Sequence, residues 1–286
     1  MLMLHCHRGR LFWPHDGCSE ACIQIRINGS LRVATRFVRP RLDPSDRVNM
    51  FSPARQFDPN CPELIDQPDV TEPHLHEELK ALENMNRQFG GHRLVLEFMG
   101  RLLPSMPETP LRILDLATGA ADIPRILAAW FRERRRPVAI TAVDRNPNVL
   151  HYARESCREW PEIQFEQHDL RQLPYEPGSY DLVLCSLALH HFSSADAIVI
   201  LRRMQEIARA AYVVNDLRRN CLAIMSSKLL ARTVITNPNI RHDAVQSARA
   251  AFTVHELRAL GEQADLKNFR IRRRQLFFHM VLEGKK

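Results

Sequence analysis

Asp115, Asp144 and Asp169 sit at or near the ends of three short apolar runs, Arg112 to Thr118, Val138 to Arg145 and Ile163 to Asp169. Carboxylates in such places accept hydrogen bonds and attract cations. After the first run comes Ala117-Thr-Gly-Ala-Ala-Asp-Ile-Pro124, a small-residue turn that opens a helix. Gly119 lets the backbone turn tightly and approach a ligand, while Ala117, Ala120 and Ala121 keep the floor of the turn low. Pro124 fits the first helical turn, where a missing N–H costs little, and Asp122 is expected to cap that helix. Asp144 follows Gly119 by 25 residues, a spacing at which an acid accepts both hydroxyls of a ribose. Asp169 falls at the same sheet edge, within reach of an adenine amino group. A dinucleotide dehydrogenase would need three glycines in the turn and no acids beside its pyrophosphate, so a nicotinamide-dependent reductase is disfavoured. Three converging acids suit a ligand with an ammonium, a sulfonium, a diol and an exocyclic amine, a description that fits S-adenosylmethionine.

A second group of candidates follows the fourth apolar run, Tyr180 to Leu187. His190 and His191 lie where substrates bind in open α/β sheets, and either imidazole could take a proton from an acceptor. Cys185, inside the run, reads as apolar filling. No metal centre is expected: the early group His5, Cys6, His7, His15, Cys18 and Cys22 matches no zinc spacing and has no second ligand pair downstream.

Positioning these residues requires alternating strands and helices. A fifth strand is predicted at Ala210 to Leu217, helices near 122–134, 148–160, 195–208 and 254–264, and two adjacent closing strands at Asn268 to Gln275 and Phe277 to Glu283. Ahead of the sheet, Leu75, Leu79, Leu82, Met85 and Phe89 recur at helical spacing. Gly90-Gly91 then breaks the chain and Leu94 to Leu103 supplies a second helix, which together predict a helical hairpin. The expected organisation is a disordered or mis-started extension over 1–49, a Pro-rich arm over 50–72, a helical cap over 73–110 and a catalytic domain over 111–286. Residues 218–252, with the amphipathic run Leu222 to Ile235, form a lid insertion in that domain.

The runs Ile113-Leu-Asp-Leu-Ala-Thr-Gly-Ala-Ala-Asp122, Ala142-Val-Asp-Arg145, His168-Asp-Leu170 and Tyr180-Asp-Leu-Val-Leu-Cys-Ser-Leu-Ala-Leu-His-His-Phe192 resemble, in order and spacing, those of class I S-adenosylmethionine-dependent methyltransferases. The resemblance implies a Rossmann-like α/β fold: a seven-stranded, mostly parallel sheet with an antiparallel last strand. It also implies cofactor contacts from Asp115, Ala117, Gly119, Asp144, Arg145, Asp169, Leu170 and Ser186. Ala117 and Ala121 stand where the family's outer glycines are usual. Asn86-Arg-Gln-Phe-Gly-Gly-His-Arg93, Arg241-His-Asp243 and Ala251-Phe-Thr253 give the chain the look of small-molecule enzymes that act on quinones and polyketide-derived phenolics.

The expected activity is methyl transfer from S-adenosylmethionine to O or C of a small, apolar phenolic or quinone-like acceptor. An RNA or protein methyltransferase and a catalytically silent cofactor-binding protein are the alternatives. Base methyltransferases place Asn/Asp-Pro-Pro-aromatic after the fourth strand, where this chain has Ser186-Leu-Ala-Leu-His-His191. The net charge is +7, yet residues 1–49, with eight Arg and four acids, carry +4 of it. No aromatic interleaving accompanies the runs Arg132, Arg134–Arg136 and Arg270, Arg272–Arg274, so a nucleic-acid partner is not expected. Seven scattered cysteines and the lack of any 20-residue apolar run fit a cytoplasmic protein without a membrane span. Oligomeric state is not encoded legibly.

Overall fold

The computed structural model describes residues 23–27, 30–34, 52–59, 63, 71–106, 108–233, 235, 237–274 and 278–286. Two units divide at Arg47 and Val48. In the first, where no regular structure was expected, the alternating run Ile23–Ile27 (β1) pairs antiparallel with Ser30–Ala34 (β2). The early His and Cys group lies outside the described residues.

In the second unit, seven strands form one sheet: Leu111–Leu116 (β3), Val138–Asp144 (β4), Ile163–Gln167 (β5), Tyr180–Ser186 (β6), Ala208–Leu217 (β7), Phe269–Arg273 (β8) and His279–Lys285 (β9). Their order is β5-β4-β3-β6-β7-β9-β8. The first five pair in parallel, while β9 runs antiparallel to both β7 and β8. The sheet is therefore the expected one, with only its last strand reversed. The order reverses between β3 and β4 on one side and β6 on the other, which opens a crevice at the carboxyl ends of the strands.

Alternation along the strands explains the two cores. Ile113, Ile140, Ala142, Leu182 and Leu184 face one side, and Leu114, Leu116, Val143, Val183 and Cys185 face the other. The first face is covered by the helices Asp122–Glu133 (α3) and Gly91–Leu102 (α2), through Leu127, Phe131, Phe98 and Met99. The second is covered by Ser194–Ile207 (α5) and Val254–Gln263 (α8), through Ile200, Leu201, Met204, Leu257 and Leu260. Pro147–Ser156 (α4) links β4 to β5.

Two appendages reach the crevice. Glu72–Gln88 (α1) and α2 form the predicted hairpin, broken at Gly90, whose φ of 84° lies in the left-handed region that glycine adopts without strain. The insertion after β7 is two helices, Cys221–Thr233 (α6) and Pro238–Ala250 (α7), packed on each other. The single amphipathic run expected over Leu222 to Ile235 thus has a partner. Arg55, in the arm, donates to the carbonyls of Ala250, His190 and Phe192 and stacks on Phe57 and Phe252. One guanidinium so ties the arm, the end of α7 and the loop after β6 together.

Candidate active site at the carboxyl edge of the sheet

The turn after β3 is built from left-handed residues. Ala117, Gly119 and Ala121 have φ of 54°, 53° and 55°, so both alanines adopt a conformation that costs an L-residue about 1 to 2 kcal/mol. Gly119 donates its backbone N–H to Asp144 Oδ2 at 3.2 Å, and a Cβ on Gly119 would meet open space. Asp115, Ala117, Gly119 and Ser186 line a cavity of about 490 Å³. Asp144, Arg145, Asp169 and Leu170 line an adjoining cleft that shares Ala117, Gly119, His190 and His191 with it. All eight cofactor candidates therefore come to one edge of the sheet.

Their electrostatic states differ. Asp115 is buried and bonded to the Thr118 hydroxyl at 2.7 Å. Burial pushes its carboxyl up to about 7; Asp122 and Asp144 add to the rise against the Thr118 bond. Asp144 also accepts the Asn146 N–H at 3.0 Å. Asp169 is clamped by its neighbour: the Arg171 side chain holds both of its oxygens, which keeps the carboxyl below its ordinary range. The Ser186 hydroxyl accepts from Asn215, whose Oδ1 lies 3.1 Å from His279 Nδ1. Asp122 departs from its expected capping role. Ala121 is the N-cap, and the Asp122 carboxylate lies 2.6 Å from Asn86 Nδ2 and 2.6 Å from His92 Nε2, docking the α1–α2 hairpin onto the turn.

His190 and His191 stand on a short helical turn after β6, Leu189–His191, with ring centroids 4.3 Å apart. His190 Nδ1 lies 2.6 Å from Asp216 Oδ1, and the His190 backbone N–H donates to the other oxygen at 2.9 Å. Asp216, at the end of β7, is fully buried. Burial alone would raise its carboxyl, but His190 and the Leu217 N–H outweigh it and hold the group below its usual value. An ionised Asp216 accepts a hydrogen bond from Nδ1–H, the tautomer that leaves the lone pair on Nε2. Glu63 lies 3.8 Å from Nε2 of each histidine and accepts from Ser247 at 2.5 Å. Glu63, His190 and His191 bring their ligating atoms within 4.8 Å of one another. The sequence reading missed Asp216 and Glu63; Asp216 was open to the rule that picked out the other strand-end acids.

Residues 113–211 match a family described as a methyltransferase domain. Residues 113–211 are a methyltransferase domain.

This methyltransferase domain is 33% identical over 90 residues to demethylmenaquinone methyltransferase of Deinococcus radiodurans, an alignment covering 31% of this chain and 36% of that protein. It is 27% identical over 106 residues to a non-reducing polyketide synthase of Penicillium rubens, covering 34% of this chain and 4% of that protein. The chain thus spans well under two thirds of these relatives. Among solved structures, a putative O-methyltransferase from Nostoc punctiforme superposes with a TM-score of 0.55 at 19% identity, covering 79% of this chain and 64% of that one. A methyltransferase from Aquifex aeolicus gives 0.51 at 14% identity, covering 73% and 97%. These likenesses establish the fold of the methyltransferase domain. No helix among the described residues is long and apolar enough to cross a membrane.

Proposed function

We propose that this protein transfers a methyl group from S-adenosylmethionine to an oxygen or carbon of a small, apolar-bodied phenolic or quinone-like acceptor. The observation that carries the proposal is a cavity and an adjoining cleft at the carboxyl edge of the sheet whose shared walls include the acid-lined turn and His190, which is paired with the buried Asp216 behind them. The chain's own residues fit the cofactor. Gly119 leaves room where any side chain would intrude, and Asp115 and Asp144 supply acceptors for an ammonium and for ribose hydroxyls. When bound, S-adenosylmethionine supplies an electrophilic methyl on sulfonium.

The protein's part is positioning and proton transfer. Leu79, Leu82, Ile123, Leu230, Ile240 and Phe278 line the cavity and exclude water from an acceptor's body. His190 Nε2 accepts the acceptor's O–H or C–H proton as the new bond to methyl forms. The buried Asp216 carboxylate holds the ring in the required tautomer and stabilises the imidazolium. The bound cofactor would supply the methyl group and retain, as S-adenosylhomocysteine, the electron pair of the broken C–S bond. The α1–α2 hairpin and the α6–α7 insertion serve as walls over the acceptor, each contributing residues to the cavity.

Calorimetric titration of the full chain with S-adenosylhomocysteine and with NADH, repeated on Asp144→Ala, tests the proposal. Micromolar binding of the first ligand alone, lost in the variant, is expected. NADH binding without S-adenosylhomocysteine binding would overturn the enzyme class. Methyl transfer only to RNA or protein in an acceptor panel would overturn the small-molecule reading, and cofactor binding without turnover on any acceptor would favour a silent binding protein.

A further inference from the structure

Three ligating side chains converge on the wall shared by the cavity and the cleft: Glu63 from the arm, and His190 and His191 from the turn after β6. One ligating atom from each lies within 4.8 Å of the other two, and the two oxygens of Glu63 stand 3.8 Å from Nε2 of His190 and of His191 respectively. Neither separation is a hydrogen bond. A tetrahedral ion with bonds of about 2.0 to 2.1 Å holds its ligand atoms roughly 3.3 Å apart, so side-chain turns of about half an ångström complete a coordination shell. The supporting partners of a metal centre are also in place. His190 Nδ1 is held by the buried Asp216 at 2.6 Å, the carboxylate–histidine pairing that aims Nε2 at a metal. The Ser247 hydroxyl, from α7, donates to Glu63 Oε1 at 2.5 Å and fixes that carboxylate. Glu63 and His190 are buried, yet all three residues line both spaces, which gives an ion a path in. The cavity's lining carries six carboxylates against one guanidinium, that of Arg218, a balance that draws cations and repels anions.

We infer that Glu63, His190 and His191 form a site for a divalent transition cation of the zinc type, and that the bound cation switches methyl transfer off. Two imidazoles and one carboxylate are donors that zinc and its first-row neighbours prefer; magnesium and calcium take oxygen-rich shells and find a single carboxylate here. The site itself stands on this geometry alone. Its blocking role rests on the methyl-transfer reading above: His190 Nε2 has one lone pair, and an ion that takes it leaves none to accept the acceptor's proton. The site departs from the expectation that the chain holds no metal. Spacing carries no sign of it, because Glu63 lies far from the histidine pair along the chain and no local pattern joins them.

Calorimetric titration of the full chain with zinc chloride, in a buffer that does not chelate, tests the site. The wild-type protein is expected to bind one equivalent more than Glu63→Gln or His191→Gln, with any equivalents held elsewhere on the chain unchanged. Ser247→Ala should weaken that equivalent by about tenfold or more. Equal zinc binding by the wild type and both ligand variants would overturn the inference. Anomalous diffraction at the zinc edge from wild-type crystals needs no variant and decides the matter where a variant fails to fold. A peak joined to Glu63, His190 and His191 is expected, and zinc found only on other side chains would overturn the site. For the blocking role, zinc should lower turnover of S-adenosylmethionine with an accepted phenol as this equivalent fills, a chelator should restore it, and His191→Gln should resist the same zinc concentration. Stimulation by zinc, or inhibition that persists unchanged in His191→Gln, would overturn that role. Failure of S-adenosylhomocysteine to bind the wild-type chain would instead sink the methyl-transfer reading and leave the zinc site standing, a distinct result.

Discussion

His190 Nδ1, on the helical turn after β6, and Asp216 Oδ1, near the end of β7, are 2.6 Å apart, and the same carboxylate also accepts the His190 backbone N–H. Two bonds from one residue fix both the ring and its backbone, so the Nε2 lone pair points from a rigid mount. His190→Gln is expected to lower kcat by about 10² to 10⁴. Asp216→Asn should lower it less, with the KM for S-adenosylmethionine unchanged in both. Steady-state kinetics with any accepted phenol reads the result; a rise in the cofactor's KM in place of a fall in kcat would move the pair out of the chemistry.

Asp115 links pH to both stability and cofactor affinity. Its carboxyl is near 7 in the folded, ligand-free protein and ordinary, at 3.8, in the unfolded chain. Between these values the folded state keeps a proton that the unfolded state has lost. The contribution to stability is therefore complete below the unfolded value and is lost as pH rises through 7. Asp115→Asn should flatten the stability profile between pH 4 and 7 and raise the melting temperature at pH 8. A cationic cofactor selects the ionised form, so its affinity should rise from pH 6 to 8 with proton release on binding. Calorimetry in buffers of different ionisation enthalpy would detect that release, and its persistence in Asp115→Asn would refute the assignment.

Left-handed alanines beside an open Gly119 predict opposite responses to substitution. Gly119→Val places a branched side chain at φ 53° and in the space at the edge of the cavity. S-adenosylhomocysteine binding should be lost while the sheet still folds. Ala117→Gly relieves about 1 to 2 kcal/mol of strain against about 0.5 to 1 kcal/mol of added chain entropy. Thermal melts should show unchanged or slightly raised stability; a drop of several degrees would mean that the Ala117 methyl packs more than it strains.

Asp122 holds the cap through Asn86 and His92. Asp122→Ala strands both partners and should cost about 2 to 3 kcal/mol, whereas Asn86→Ala leaves the His92 contact and should cost about 1 kcal/mol. Urea denaturation measures both. Costs below about 0.5 kcal/mol for each would show that the apolar contacts of α1 and α2 dock the hairpin unaided.

What the sequence by itself determined was local and periodic. Apolar runs bounded by turns marked the strands, the spacing of Leu75, Leu79 and Leu82 marked α1, and acids at strand ends marked the crevice. Each of these signals is carried by residues within a few positions of one another, where backbone geometry links spacing to direction. The parallel order of the sheet followed from the alternation of strands with helices.

The tertiary structure decided which polar groups meet. His190 and Asp216 are 26 residues apart, Asn86 and Asp122 are 36 apart, and Ser247 reaches Glu63 across 184. One reading changed for this reason: Asp122 became a docking point for the cap in place of a helix cap. Charge states changed as well, since Asp115 and Asp169 look alike in sequence but are driven in opposite directions by burial and by a guanidinium. Burial and hydrogen-bond partners depend on which distant side chains share a space, and only the closed fold determines that.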